Sequence, residues 1–339
     1  MQRKGGSRIN WLVLFLGIGA LSADTYAAFV CYDERHFPAV FKLEETNNGI
    51  QVLLGGAYAD LKRHVSPVLA YREGGGWTYV ESRNCERCET NVHDGKCQEP
   101  IPKWESISPK DRACMPGEDC RQGIPVIRLG PGEQEEIIEE SPSSCAVRDN
   151  VVWFGINFYR GESHTGYGGL GRYERKTKKL EIRRLPELKD YPIHKVVWDG
   201  EHVWAGTTSN YECIGHPPAL GLIKYKWDTK TLTLFKGRND GPCGFVIHDL
   251  LWSKGFLWVA TDVGLSRWGA KSSQWTHYLP DMKSPGKVKE GRCEAFYRDL
   301  LHTLPKNESW FDEQKSYHQI FYENLEEFRP DFIKLYESR

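Results

Sequence analysis

VVWDGEHVWAGT, residues 196–207, is repeated with substitutions as LLWSKGFLWVAT, residues 250–261. Each stretch has two apolar residues, a Trp, a turn that contains Gly, and a strand of the order apolar–Trp–small–Thr. A third copy of that strand, VVWFGI, places Trp153, Trp204 and Trp258 at intervals of 51 and 54 residues. A period of this size indicates a repeated supersecondary unit.

Each unit continues with a second hairpin of one design. A strand, a polar turn and another strand are readable in GLGRYERKTKKLEIR (169–183), GLIKYKWDTKTLTLFK (221–236) and GLSRWGAKSSQWTHY (264–278). Short apolar runs at 193–198 and 247–252, ended by DG and KG turns, predict a strand before each Trp hairpin. Four antiparallel strands in each unit predict an all-β fold, the β-propeller, in which every sheet is a blade packed between its neighbours. A β-sandwich is the alternative, but it would not repeat the same Trp at the same phase.

Weaker copies of the unit occupy the N-terminal half. Residues 47–82 match one blade centred near Leu53, and 83–141 should hold another, of which only 124–140 reads as strand, turn and strand. The count is about five blades, or six if the first residues complete one more. Each Trp is expected to fill the space between adjacent sheets, and the small residue two positions later is expected to let the next strand approach: Gly155, Gly206 and Ala260.

The repeat sets the domain boundaries. It predicts a propeller over residues 29–285, with a Cys-rich insertion at about 83–123. The pattern breaks at 286–339, where a helical C-terminal tail is predicted because its apolar residues recur on one helical face: Phe296, Leu300, Leu301 and Leu304.

The blade motif resembles a known propeller repeat. DGEHVWAGT (199–207) followed by GLIKY (221–225), and GFLWVAT (255–261) followed by Gly264 and Leu265, are similar to the repeat in the periplasmic sensor regions of hybrid two-component regulators. The likeness covers roughly residues 145–280. It implies the blade geometry alone, because the motif residues are structural in that family. Those sensors continue into a transmembrane helix and a kinase, so signalling through a kinase is not carried over to this sequence.

The N-terminal residues indicate an exported protein. Residues 1–28 have a basic start, an apolar run over 11–21 and small residues near Ala27, the pattern of a secretory signal peptide; an uncleaved anchor is the alternative. No later stretch has the roughly 18 apolar residues of a membrane span. The 45 basic residues balance 46 acidic ones, which argues against nucleic acid as a partner. A periplasmic or secreted location is expected.

Insertions between the second and third strands of several blades predict a binding surface. These connections open on one face of a propeller, and they are long in three blades but only two residues, Asp262 and Val263, in the last. Aromatic and hydrogen-bonding side chains in them suit a small polar ligand, a glycan or a protein, unless the loops only pack on one another. The candidate ligand-binding residues are Tyr58, Arg63, His64, Tyr159, Arg160, His164, Tyr167, Tyr211 and His216.

His194 and His248 recur at one phase of two innermost strands, in IHKVVW and IHDLLW. Innermost strands line the central channel, so the two imidazoles could serve a hydrolase or lyase at the channel mouth. A metal would need a third ligand. The equivalent positions near Ala146 and Val147 offer none, although Asp249 is adjacent. Hydrogen bonding between blades is the favoured role of the pair, and a metal or catalytic site is the alternative.

The ten cysteines of an exported chain are expected to form disulfides. CERCETNVHDGKC (85–97) has zinc-like spacing, and Cys85 with Cys88 could be a redox pair, but oxidation in the exporting compartment favours cross-links. Cys31 with Cys293 is the expected pair that would tie the chain ends. The disulfide candidates are Cys31, Cys85, Cys88, Cys97, Cys114, Cys120, Cys145, Cys213, Cys243 and Cys293.

The sequence as a whole predicts a non-catalytic binding module that needs no cofactor and no metal. A propeller hydrolase or lyase with His194 and His248 is the alternative, and a structural envelope protein is a third. An enzyme needs titrating groups that converge on one pocket, whereas a binding module needs only an aromatic and hydrogen-bonding surface.

Overall fold

A computed structural model describes residues 38–295 of the chain, apart from 48, 57–64, 85–119, 122–123, 129–134, 138, 161–162, 165–166, 190, 209–218, 236–239, 245, 281–287 and 294. Within these residues the chain forms antiparallel sheets, which we number as blades 1 to 5 in chain order. The predicted all-β propeller of about five blades is confirmed. No helix among the described residues has the length and hydropathy needed to cross a bilayer.

The strands follow the order expected from the repeat. Blade 1 contains β1 (Pro38–Thr46), β2 (Gly49–Gly56), β3 (Val65–Arg72) and β4 (Gly76–Asn84); blade 2 contains β5 (Cys120–Arg121), β6 (Ile124–Arg128) and β7 (Glu135–Ile137). Blade 3 contains β8 (Glu139–Arg148), β9 (Val151–Arg160), β10 (Ser163–His164), β11 (Tyr167–Glu174) and β12 (Lys179–Lys189). Blade 4 contains β13 (Ile193–Trp198), β14 (Val203–Thr207), β15 (Leu222–Lys226) and β16 (Thr231–Phe235). Blade 5 contains β17 (Ile247–Ser253), β18 (Phe256–Thr261), β19 (Leu265–Gly269), β20 (Trp275–Pro280) and β21 (Val288–Gly291).

The first strands of blades 3, 4, 5 and 1 lie side by side in that order. β8 contacts β13, β13 contacts β17, and β17 contacts β1, so the first blade of the sequence packs against the last. One apolar cluster joins Val40 and Val52 of blade 1 to Trp258 and Tyr278 of blade 5. The Nη1 of Arg267 also donates to the Tyr71 hydroxyl across this junction, at 3.1 Å. Burial of apolar surface between sheets therefore joins the two ends of the repeat array.

The small residue of each repeat fits the next blade, as predicted. A Cβ built on Gly155 would lie 2.6 Å from Cγ2 of Ile193, and one built on Gly206 would lie 2.3 Å from Cγ2 of Ile247. Ala260, the third small residue, is buried in the same cluster as Val40. A larger side chain at these positions would push the inner strand of the next blade outward.

Each repeated Trp also lies directly opposite a basic residue on the third strand of its blade. Trp153 pairs with Arg172, Trp204 with Lys224 and Trp258 with Arg267. The cations lie over the indole rings at 5.4, 5.1 and 5.4 Å from the centroids. Such contacts stabilise by about 0.5–2 kcal/mol each, more when the pair is desolvated. The basic residue of the second hairpin therefore belongs to the blade motif.

Several boundaries differ from the expectations. Blade 1 begins at Pro38 rather than 47, and residues 139–141, expected at the end of blade 2, belong to β8. The end of blade 2 is confirmed as β6 paired with β7. The region expected to be a helical tail contains β21, a fifth strand on the outer edge of blade 5, and the part of the tail after residue 295 lies outside the described residues.

The expected disulfide between Cys31 and Cys293 is wrong. Cys293 is bonded to Cys243, with the two Cα atoms 5.6 Å apart. Cys243 lies in the connection between blades 4 and 5, and Cys293 follows β21, so the bond fixes the added strand to its own blade. Cys145 is also disulfide-bonded. The remaining cysteine side chains lie outside the described residues.

Candidate functional site

The inner strands of four blades are bulged at the same level. The pairing of each inner strand with its neighbour shifts between Val40 and Lys42, between Pro142 and Cys145, between Ile193 and Lys195, and between Ile247 and Asp249. His194 and His248 are the extra residues in β13 and β17. Their equivalent in β8 is Ser143, so the alignment that compared them with Ala146 and Val147 is wrong by three residues. Bulges redirect side chains and are common next to functional sites.

Asp249 connects three inner strands at the level just after the bulge. Its Oδ1 accepts from Lys195 Nζ of β13 at 2.9 Å and from the N–H of Leu250 at 2.9 Å. Its Oδ2 accepts from the N–H of Leu43 of β1, also at 2.9 Å. Ser144 makes a similar link between blades 3 and 4, because its Oγ accepts from the N–H of Val196 at 3.0 Å. These bonds hold adjacent blades together where no sheet ladder joins them.

The two histidines of the channel are held in the neutral form. Burial lowers the pKa of His194, and the nearby Lys195 ammonium lowers it further, against the opposing effect of Asp249. Burial lowers the pKa of His248 to about 3, and His194 contributes to that shift. The imidazole of His194 is also hydrogen-bonded to the main chain of His248. This contact between β13 and β17 matches the inter-blade hydrogen bonding favoured as the role of the pair.

Among the described residues, the histidine pair belongs to no group of ligand atoms compact enough for a metal ion. In the portion of the chain that the structure describes, one group of His, Cys, Asp or Glu ligand atoms is compact enough for a metal ion, and it consists of Cys243, His277 and Cys293. That group lies within blade 5 and its flanking segments. No sequence signal had singled out His277, because its neighbours in space are distant along the chain.

The face with the insertions adjoins the channel bulges. Ile193 pairs with Thr207 and Ile247 pairs with Thr261, so each inner strand begins beside the end of the second strand, where the insertions start. The bulges follow at the next residue of each inner strand. Most of two predicted insertions lies outside the described residues, namely 57–64 of the insertion at 57–66 and 209–218 of the insertion at 208–219, and with them Tyr58, Arg63, His64, Tyr211 and His216.

The third insertion is an extension of the sheet of blade 3. β9 is ten residues long, whereas β14 has five and β18 has six. The added segment pairs with β8 through Ser141 to Asn157 and Glu139 to Tyr159, and it pairs with β10 through Ser163 to Arg160 and His164 to Tyr159. The backbone places four predicted ligand-binding residues on this extension: Tyr159, Arg160, His164 and Tyr167.

Asn157 fastens the base of the extension to the next blade. Its Nδ2 donates to the carbonyl of Ile193 at 2.9 Å, and its Oδ1 accepts from the N–H of Ile193 at 2.8 Å. The side chain is 3% exposed, so both bonds are protected from water. This two-bond pairing sets the extension directly beside the bulge at His194. Asn157 falls within the predicted insertion, but its sequence position alone indicated no role for it.

No protein-family model and no curated protein matches the chain. Among solved structures, the extracellular domain of the hybrid two component system BT4673 from B. thetaiotaomicron is 13% identical over 76% of this chain and 35% of that one, with a TM-score of 0.30. The GH74 xyloglucanase from Xanthomonas campestris is 9% identical over 68% of this chain and 27% of that one, with a TM-score of 0.30. The chain thus spans about a third of the sensor domain and about a quarter of the xyloglucanase. Both are likenesses of fold alone.

Proposed function

We propose that the protein is an exported binding module that recognises a small polar ligand, a glycan or a protein through the face that carries the insertions. The observation that supports this most is the extension of blade 3. Four residues of β9, 157–160, continue past the level at which β14 and β18 end. At about 3.3 Å per residue, β9 runs roughly 13 Å past that level.

A paired strand extension suits binding better than an isolated loop does. The added segment of β9 is hydrogen-bonded on one side to β8 and on the other to β10. Asn157 fixes its base to Ile193. A backbone ordered before the ligand arrives loses less conformational entropy on binding, which increases affinity.

Export of the chain belongs to the same proposal. The buried bond between Cys243 and Cys293 supports it, because disulfides form and persist in oxidising compartments. The basic and apolar pattern of residues 1–28 is the second support.

Catalysis by His194 and His248 is less well supported than binding. A general acid or base works best when its pKa lies near the operating pH. The pKa of His248 is about 3, and the pKa of His194 is lowered as well, so neither imidazole is tuned to exchange a proton near pH 7. Asp249, the nearest carboxylate, is bonded to Lys195 and to two main-chain N–H groups.

The test is a binding screen with variants on the extension. Chain 29–339, with its disulfides oxidised, is applied to arrays of oligosaccharides and peptides. Each compound bound by the unmodified chain is then titrated against Tyr159→Ala, His164→Ala and Tyr167→Ala. We expect at least tenfold weaker binding in one or more of these variants.

The matched controls lie at the opposite end of the same blade. Lys176→Ala and Thr177→Ala change exposed residues of the turn between β11 and β12, and we expect them to bind as the unmodified chain does. Binding weakened equally by the controls would place the ligand elsewhere. A chain that bound no compound on either array would argue against the proposed function itself.

A further inference from the structure

We propose that the protein docks on an anionic lipid bilayer through the end of blades 3, 4 and 5 that lies opposite the insertions. Six turns between paired strands form this end, which we call the turn face: residues 148–151, 174–179, 198–203, 226–231, 253–256 and 268–275. The structure describes every residue of these turns. Docking here is independent of the proposed function, because the proposed ligand binds at the other end of the blades.

The turns of the three blades lie on one face. Asn157 and Ile193 join blades 3 and 4 at their insertion ends through two hydrogen bonds. Gly206 and Ile247 pack blades 4 and 5 together at the same end. Because neighbouring blades are aligned at the insertion end, their opposite ends also adjoin, and the turns there form a shared surface.

The turn face carries an excess of positive charge. Its six turns contain nine Lys and Arg residues and five Asp and Glu residues, whereas the whole chain is nearly balanced. Two of the nine, Lys179 and Lys226, are paired with Glu181 and Glu201. Six others are exposed and form no ion pair within the described part of the chain, so their charge is available to a partner: Arg148, Lys176, Lys178, Lys230, Lys254 and Lys271.

The backbone of three turns does not account for the lysines that they carry. Lys178, Lys230 and Lys254 have φ values of 56°, 57° and 51°. This left-handed conformation favours Gly and Asn over a long side chain. The turn geometry therefore needs no ammonium group, yet each of the three adjacent blades places an exposed one there. Their shared property is positive charge at the tip of a turn.

A bilayer fits this distribution of charge better than a compact anion does. The cations are spread over the turns of three blades, and a bilayer presents its anionic headgroups over a plane. Val147, beside Arg148 at the end of β8, is 43% exposed and is the one exposed large hydrophobic residue in the described parts of these blades. Apolar contact at the headgroup boundary adds to electrostatic attraction. Docking in this way would leave the insertions directed away from the membrane.

The first test is flotation of chain 29–339, with its disulfides oxidised, with vesicles of phosphatidylglycerol and phosphatidylcholine in equal parts. We expect binding to these vesicles and none to pure phosphatidylcholine. Binding should weaken strongly between about 0.01 M and about 0.15 M ionic strength, because the Debye length falls from about 30 Å to about 8 Å. Free glycerol phosphate at constant ionic strength should not compete; if it does, the face binds a single phosphate group and not a bilayer.

A triple variant, Lys178→Asn, Lys230→Asn and Lys254→Asn, tests the turn face directly. Asn adopts the left-handed conformation more readily than Lys, so the thermal unfolding midpoint should be unchanged or higher. An unchanged midpoint would show that weaker binding does not come from misfolding. At about fivefold for each lysine near an anionic surface, the triple variant should bind the vesicles about 100-fold more weakly.

The matched comparison uses two double variants that each remove two exposed lysines. Lys230→Asn with Lys254→Asn should weaken vesicle binding about 25-fold. Lys42→Asn with Lys289→Asn, which changes strands β1 and β21 away from the turn face, should leave it nearly unchanged. Equal losses in the two double variants, or equal binding to neutral and anionic vesicles, would overturn the proposal. Binding to dextran sulfate without binding to vesicles would also overturn it, in favour of an acidic polymer.

Discussion

Acidification should destabilise the protein through His248, and the size of the effect follows from its burial. Burial lowers the pKa of this imidazole to about 3, against an ordinary value near 6.5. The unfolded chain therefore binds a proton below pH 6.5 that the folded chain does not bind until about pH 3. Stability contributed by the neutral imidazole is complete above pH 6.5 and is lost as the pH falls toward 3.

At pH 5 the resulting loss in the free energy of unfolding is about 2 kcal/mol, because each pH unit below 6.5 lowers that free energy by about 1.4 kcal/mol. The variant His248→Gln removes the titrating group and keeps the main-chain contact with His194. We expect the free energy of unfolding of the unmodified chain to fall by about 2 kcal/mol more than that of His248→Gln between pH 7 and pH 5. Groups common to both chains cancel in this comparison.

Urea unfolding of the oxidised chain at pH 7, 6 and 5, followed by Trp fluorescence, measures the difference. Ser143→Ala is the matched control, since Ser143 occupies the same bulge position in β8 and carries no titrating group. It should reproduce the pH dependence of the unmodified chain. If His248→Gln and the unmodified chain lose stability in parallel, the imidazole is not held neutral and this account of the channel is incorrect.

Two further predictions concern the blade motif. Gly206→Ala should lower the free energy of unfolding by about 1–3 kcal/mol, because its Cβ would overlap Ile247. The control Gly75→Ala, whose Cβ meets nothing closer than 3.5 Å, should change it by less than about 0.5 kcal/mol. Equal effects of the two variants in urea titrations would contradict close packing of blades 4 and 5. Asp199→Ala should cost about 1–3 kcal/mol by the same measurement, since Asp199 accepts at 2.7 Å from the indole Nε1 of the buried Trp204 and also from two main-chain N–H groups of its turn. An unchanged midpoint in that variant would mean that the indole finds another acceptor.

The repeat could be read from the sequence because residues of the same types pack between adjacent blades at the same positions. Trp153, Trp204 and Trp258 recur at the phase where an indole fits between adjacent sheets, and the small residue two positions later recurs because the next inner strand approaches there. Such residues therefore recur at a regular interval along the sequence. Blade 1 was harder to delimit, because β2 contains no Trp and β1 precedes the recognisable portion of its repeat.

Features that depend on register or on distant contacts could not be read. The equivalence of Ser143 to His194 and His248 was readable, because each lies ten residues before the Trp of its blade, and the comparison with Ala146 and Val147 was misaligned. The bulge at that position could be seen only from the strand pairing. The bond from Cys243 to Cys293 depends on β21, a four-residue strand with no apolar alternation to predict it. The cations over the indoles were visible in the sequence, but their role required the pairing of the second and third strands.

The closure of the ring between β1 and β17 has a consequence for how the protein comes to be folded. The bond from the N–H of Leu43 to Asp249 joins residues 206 positions apart. At a synthesis rate of about 5–20 residues per second, the first blade waits on the order of 10–40 s for its partner strand. During that interval the face of Val40 and Val52 is exposed to water. High contact order of this kind slows folding, and it makes the interval before closure the period in which the nascent chain is most open to misassociation and proteolysis.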